Sequence, residues 1–167
     1  MSARLVLIGA PGAGKTTVGS LLAARWGIPA IDTDNRVEAV AGMTVADVFT
    51  VQGEPAFRKL EEKAVLDALT HDAVVSVGGG AVMNVNIRAA LAAVPTVWLQ
   101  ASVADIADRI KLDVPRPLLM GDTRRRLNEL MQQRTPIYEA CATVAVSTSG
   151  KSAEEIADEV QQWWEAQ

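Results

Sequence analysis

A glycine-rich run, Gly9-Ala10-Pro11-Gly12-Ala13-Gly14-Lys15-Thr16-Thr17, follows the apolar stretch Leu5 to Ile8 and reads G-x-x-x-x-G-K-T. Glycines let a backbone turn tightly and aim successive N–H groups at anionic oxygens, and the positive end of the following helix adds to the same field. Lys15 is then placed to meet the β- and γ-phosphates of a nucleotide, and Thr16 to ligate Mg²⁺. A turn that merely ends a strand has no use for Lys-Thr at this offset.

Four further groups could act with this cradle. Asp32 and Asp34 end a short apolar stretch; an aspartate beside a phosphate loop can hold Mg²⁺ through water, and a second one two residues on faces the same way. The plain alternative is that Asp34 or Thr33 caps a helix. Gly78-Gly79-Gly80 strips every side chain from the end of another apolar run, which makes either a permissive turn or a place where a ligand lies on bare backbone. Arg58 has Glu61 and Glu62 at i+3 and i+4, close enough to hold its guanidinium, although an exposed helical ion pair would show the same spacing. Seven of the sixteen cationic residues fall between positions 109 and 134, six of them arginine. Arg124 to Arg126 face different sides of a helix and read as solvated. Arg116, beside Pro117, is the better candidate for a moving phosphate contact.

The elements that must carry these groups alternate. Strands are expected at Arg4–Ile8, Ile28–Asp32, Ala73–Val77, Thr96–Gln100 and Thr143–Ser147, and helices at Lys15–Trp26, Asn35–Ala41, Thr44–Val51, Pro55–Leu69, Asn84–Ala93, after Ser102, at Asp122–Ala140 and from Ser152 to Trp164. Thr44 with Asp47 and Ser152 with Glu155 are spaced as capping boxes. This order predicts a three-layer α/β/α sandwich on a five-stranded parallel sheet. The loops after the first three strands share one crevice. A helical insert spans about 33–61, and Lys111 to Gly121, with two prolines, reads as a flap or lid.

Composition bounds the rest. At 167 residues and 49% hydrophobic, the chain suits one domain, so any acceptor binds inside the same fold. A net charge of −4 argues against gripping nucleic acid by bulk electrostatics. No apolar run approaches the ~20 residues of a membrane span, and a lone Cys141 cannot form an intrachain disulfide. A cytoplasmic monomer is the expectation. His71 reads as a helix-end residue and Cys141 as core filler; at least one of Trp163 and Trp164 should pack on the sheet.

With these positions assembled, the chain resembles the shikimate kinase family over nearly its whole length. The matching segments are Gly9 to Thr17, Asp32-Thr33-Asp34 with Glu38, Phe49, Gly53-Glu54, Phe57-Arg58, Glu61-Glu62, Ser76 to Ala81, Arg116-Pro117-Leu118-Leu119 and Arg134-x-Pro136-x-Tyr138. The resemblance implies a P-loop kinase fold of the nucleoside monophosphate kinase type and transfer of the ATP γ-phosphoryl group to the 3-hydroxyl of shikimate. It further implies that Arg58 and Arg134 clamp the shikimate carboxylate, that Gly79 and Gly80 lie against its ring, and that Asp34 holds its hydroxyls and faces the attacking one. Phe49 and Phe57 are implied as pocket walls. For ATP it implies Gly12, Ala13, Gly14, Lys15, Thr16 and Thr17, with Arg109 on adenine and Arg116 on the phosphates; Lys15, Asp34 and Arg116 are the catalytic set. One Mg²⁺ is implied, with Thr16 in its inner shell and Asp32 and Ser76 beyond bridging water. The loop from Ser147 to Ser152 lacks a diagnostic pattern for the base, and Asp113 lies close to Arg116. Another small-molecule P-loop kinase, such as one acting on gluconate, and a nucleotide-binding regulator without turnover are the rival readings.

Overall fold

Alternate residues of the first strand, β1 (Leu5–Ile8), feed two separate cores, and this alone sets the layering. Leu5 and Leu7 pack with Val18 and Leu22 of α1 (Lys15–Trp26) and with Ile156 and Val160 of the last helix, whereas Val6 and Ile8 pack on the opposite face with Val65, Ile87, Leu91 and Tyr138. The computed structural model describes residues 2–113 and 120–167, with side chains described outside 110–123. After α1 come β2 (Ala30–Asp32), α2 (Thr33–Ala41), α3 (Val45–Gln52), α4 (Glu54–Ala68) and β3 (Val74–Ser76). Next are a 3₁₀ turn at Ala81–Met83, α5 (Val85–Leu91), β4 (Thr96–Gln100), α6 (Val103–Asp113), α7 (Met120–Cys141), β5 (Val144–Ser147) and α8 (Ala153–Glu165).

The five strands are all parallel, in the order β2-β3-β1-β4-β5. Helices cover both faces, as the sequence predicts. The order reverses about β1, so the crevice for a ligand opens beyond its carboxyl end. Register then lines up the chemistry: Asp32 pairs with Ser76, and Ser76 with Leu7 just before Gly9.

Boundaries differ from the expected ones by a residue or two, with local causes. Pro29 gives only its carbonyl to the neighbouring strand, accepting from Val74 N, so β2 begins at Ala30 rather than Ile28. The Ser152–Glu155 capping box forms completely. At Thr44 only half forms: its hydroxyl accepts from Asp47 N at 3.1 Å, but the Asp47 side chain does not return to Thr44 N; separately, Val45 N donates to Glu38 Oε2 at 2.9 Å, tying α3 to α2. The insert has its own small core of Val37, Val48 and Phe57. Trp164 packs on Trp26 of α1 with ring centroids 5.0 Å apart, and both Trp163 and Trp164 border the β1–β4–β5 core. Among the described residues no helix is long and apolar enough to cross a membrane.

Candidate active site

The cradle is made by backbone. Gly14 occupies the cap position of α1 at φ 94°, a conformation open to glycine, and no side chain caps the first turn. The helix therefore presents its N-terminal N–H groups outward. Lys15 Nζ donates to the carbonyls of Gly9 and Ala10 at 2.7 and 2.9 Å. Burial pulls its ammonium down to about 8, against the pull of Asp34 and Asp32; Arg134 acts in the same direction as burial. A cavity of about 340 Å³ opens here, lined by the loop and by Asp32, Asp34, Ser76 and Gly79.

Capping belongs to neither Asp34 nor Thr33. Asp32 is the N-cap of α2: its Oδ1 accepts from Asp34 N at 2.9 Å and Asn35 N at 3.2 Å, and its Oδ2 from the Thr16 hydroxyl at 2.7 Å. One strand-end aspartate thus serves both the helix and the cradle, because its two oxygens point to different partners. The Thr33 hydroxyl donates to the Ser76 carbonyl. Asp34 is left free, and its Oδ1 is buried with no hydrogen-bond partner among the described residues. Burial and the Asp32 carboxylate push its pKa up, with Lys15 opposing them.

Arg58 faces the same space from α4. Its Nη1 donates to Glu61 Oε1 at 2.7 Å, its Nε lies 3.5 Å from Glu54 Oε1, and its guanidinium carbon sits 5.2 Å from the Phe57 ring centre and 6.0 Å from that of Phe49. Glu61 is 1% exposed, which removes the exposed-pair reading, and burial raises its pKa. Glu62 takes no part: it accepts instead from Asn86 Nδ2 at 2.6 Å. Phe57 is buried in the insert core, while Phe49, half-exposed, leans on it at 4.5 Å between ring centres.

Glycines form the opposite wall. A Cβ on Gly80 would lie 2.7 and 2.9 Å from the two terminal nitrogens of Arg58 and 3.1 Å from Arg134 Nη2, so both forks converge on one point of the turn. A Cβ on Gly79 would meet Pro11 Cδ at 2.5 Å, which presses the turn against the phosphate loop. Tyr138, on α7, donates its hydroxyl to the Gly79 carbonyl at 2.5 Å. Spacing offered Glu61 and Glu62 alike as the brace for Arg58, and of the two Glu61 takes it; Tyr138 had no task of its own in the sequence, since it acts on a backbone carbonyl far along the chain. Ser76 donates to the Lys15 carbonyl at 3.1 Å and so braces α1 on β3.

A second cavity, of about 360 Å³, continues past the cradle between Gly12, Thr17, Arg109, Lys151 and Ile156. Arg109 donates to the Gly12 carbonyl there. Lys151, held by the Ser147 carbonyl at 3.0 Å and Glu159 at 2.7 Å, supplies a cation from the loop that looked featureless in sequence. Its signal was position, just beyond the carboxyl end of β5. Arg116 and the centre of the Lys111 to Gly121 stretch lie outside the described residues. Arg124 to Arg126 are exposed.

A parallel α/β sheet whose first strand ends in this cradle, with the half-buried Asp34 carboxylate and two arginines across from it, defines a P-loop phosphotransferase for a small anionic acceptor. The family model described as shikimate kinase matches residues 11–165. The shikimate kinase of Thermobifida fusca is 51% identical over 92% of this chain and 90% of its own. The solved structure of the Acinetobacter baumannii shikimate kinase in complex with shikimate superposes with a TM-score of 0.91 at 30% identity, covering 99% of this chain and 94% of that one. A Sinorhizobium meliloti gluconokinase shares the fold alone, at a TM-score of 0.59 and 20% identity over 99% of this chain and 93% of its own. The chain belongs to the shikimate kinase family.

Proposed function

We propose that the chain transfers the γ-phosphoryl group of ATP to the 3-hydroxyl of shikimate, giving shikimate 3-phosphate and ADP. The observation that carries this reading is the buried, unpartnered Asp34 Oδ1, across from Lys15 and beside the point where Arg58 and Arg134 converge. A small polyol acid offers one carboxylate to two forks and several hydroxyls to one acceptor oxygen, which orients it with few contacts. Asp34 would accept from the attacking hydroxyl and position it; a loose phosphoryl transition state asks little more of a base. Gly79 and Gly80 would lie on the ring, with Phe49 and Phe57 as walls.

On the nucleotide side, the N–H groups of Gly12 to Thr17 and the Lys15 ammonium would hold the phosphates, with Arg109 and Lys151 flanking the base. The resemblance adds Arg116 over the transferring group. The oxygen donors beside the cradle fit Mg²⁺: the Thr16 hydroxyl spends its proton on Asp32, leaving its lone pairs to a hard cation, with that carboxylate behind it. Ser76 could join through water only by its lone pairs, since its proton is engaged. When bound, Mg²⁺ would neutralise charge on the bridging phosphate oxygens. We also place the protein in the cytoplasm as a single-domain monomer, with about 33–61 as the acceptor insert and about 111–121 as lid.

A coupled ATP assay across shikimate, quinate and gluconate tests the reading. Turnover with shikimate well above the others is expected. Turnover on gluconate alone, or ATP binding with no turnover on any of them, would overturn it.

A further inference from the structure

Tyr138 heads the fully buried side chains by size among the described residues, and it is the chain's only tyrosine. Its ring stacks on Trp98 of β4 with centroids 5.7 Å apart, a contact that phenylalanine would make equally well. The hydroxyl is therefore surplus to packing, and it is aimed at the Gly79 carbonyl. That carbonyl belongs to the residue pressed on Pro11, and the next residue, Gly80, marks where Arg58 and Arg134 meet. Arg134 stands one turn before Tyr138 on α7, so a single helical turn carries both an arginine fork and the donor that pins the backbone opposite it.

We propose that Tyr138 is a positioning residue for the acceptor: its hydroxyl fixes Gly79 and Gly80 between Arg134 and the phosphate loop, and so sets the gap into which shikimate fits. The inference rests on the acceptor reading above. Without that donor the Gly79 peptide is free to rotate away from Tyr138, and three adjoining glycines offer little resistance. The cradle's own N–H groups and Lys15 keep their partners.

Tyr138→Phe deletes the donor and keeps the ring. In steady-state kinetics beside wild type, KM for shikimate should rise about five- to tenfold, with KM for ATP within about twofold; the lost hydrogen bond lowers Tm somewhat in any case, so the shikimate KM decides. A purely structural role would lower Tm and leave the shikimate KM alone. An unchanged shikimate KM, or a rise shared equally with ATP, overturns the proposal. Because no other tyrosine exists, 3-fluorotyrosine labels this ring alone in the otherwise unaltered chain; its ¹⁹F resonance should move on adding shikimate and stay on adding an ATP analogue, and a resonance indifferent to shikimate also overturns it. If wild type turns over shikimate and Tyr138→Phe matches it, this inference alone fails; a wild type that ignores shikimate sinks the acceptor reading with it.

Discussion

The phosphate cradle and the acceptor pocket meet at Pro11 and Gly79, yet they are built by opposite means. Nine consecutive residues make the cradle, and its donors are mostly backbone N–H groups whose directions follow from φ and ψ. The pocket draws Asp34 from α2, Arg58 and Glu61 from α4, a glycine turn after β3 and Arg134 from α7, and its donors are side chains. A backbone site tolerates sequence change as long as the turn survives. A side-chain site depends on each group and on what holds it, which is why Arg58 comes with Glu61, and Gly79 with Tyr138.

If this division is right, substitutions in the pocket should spare ATP binding, and the largest effect should come at Asp34. Asp34→Asn is expected to lower kcat by about 10²- to 10⁴-fold, with the ATP Kd nearly unchanged by calorimetry. The same change should raise stability. Burial lifts the Asp34 pKa above its ordinary value, so its contribution favours folding at acid pH and is lost as pH rises through the folded value. Above that value the ionised carboxylate, its Oδ1 unpartnered among the described residues, is a cost, and Asn should gain a few degrees in Tm there, the gain shrinking toward acid. An equal loss of ATP affinity would break the division.

Lys15→Ala should come next, with kcat/KM down about 10²- to 10³-fold and, unlike Asp34→Asn, a weaker ATP Kd. Because burial holds the Lys15 ammonium near 8, the free protein loses this cation as pH rises through that value. ATP affinity measured without divalent metal should fall over the same range in wild type and show no such limb in the variant.

The same contrast explains what was legible in the sequence. The cradle reads directly because its spacing is its geometry. Strand and helix order were equally plain, since apolar period and caps such as Ser152–Glu155 act within a few residues. The pocket was named residue by residue through family resemblance; of its supports, helical spacing offered Glu61 and Glu62 equally for Arg58, and the task of Tyr138 was not legible. Nothing in the run Phe57-Arg58-Lys59-Leu60-Glu61-Glu62 tells that Glu61 turns inward while Glu62 turns to Asn86; that choice depends on where α5 lies. Nor could spacing decide that Asp32 rather than its neighbours caps α2, because the decision lies in β2 ending one residue earlier than the helix begins.

Arg58→Ala probes the pocket's dependence on such supports. Loss of two or so charged hydrogen bonds to the acceptor carboxylate predicts about 2–4 kcal/mol in kcat/KM for shikimate, with ATP affinity within about twofold. Arg58→Lys should rescue little, because an ammonium lacks the fork and the flat face that lies against Phe57. Full activity in Arg58→Ala would mean that the carboxylate binds elsewhere.

Lys151 gives the smallest effect and the finest test of the border between the two regions. It lies on the far side of the cradle from Asp34, in the cavity shared with Arg109, and its ammonium is already engaged by Glu159 and the Ser147 carbonyl. A partly exposed cation of this kind contributes about 0–1 kcal/mol. Lys151→Ala should therefore raise KM for ATP by roughly two- to fivefold and leave KM for shikimate and kcat at wild-type values. The effect should fade in high salt, since the contact is exposed. A change in shikimate KM would show that the cradle passes strain through Pro11 to Gly79, and the two regions would then have to be treated as one site.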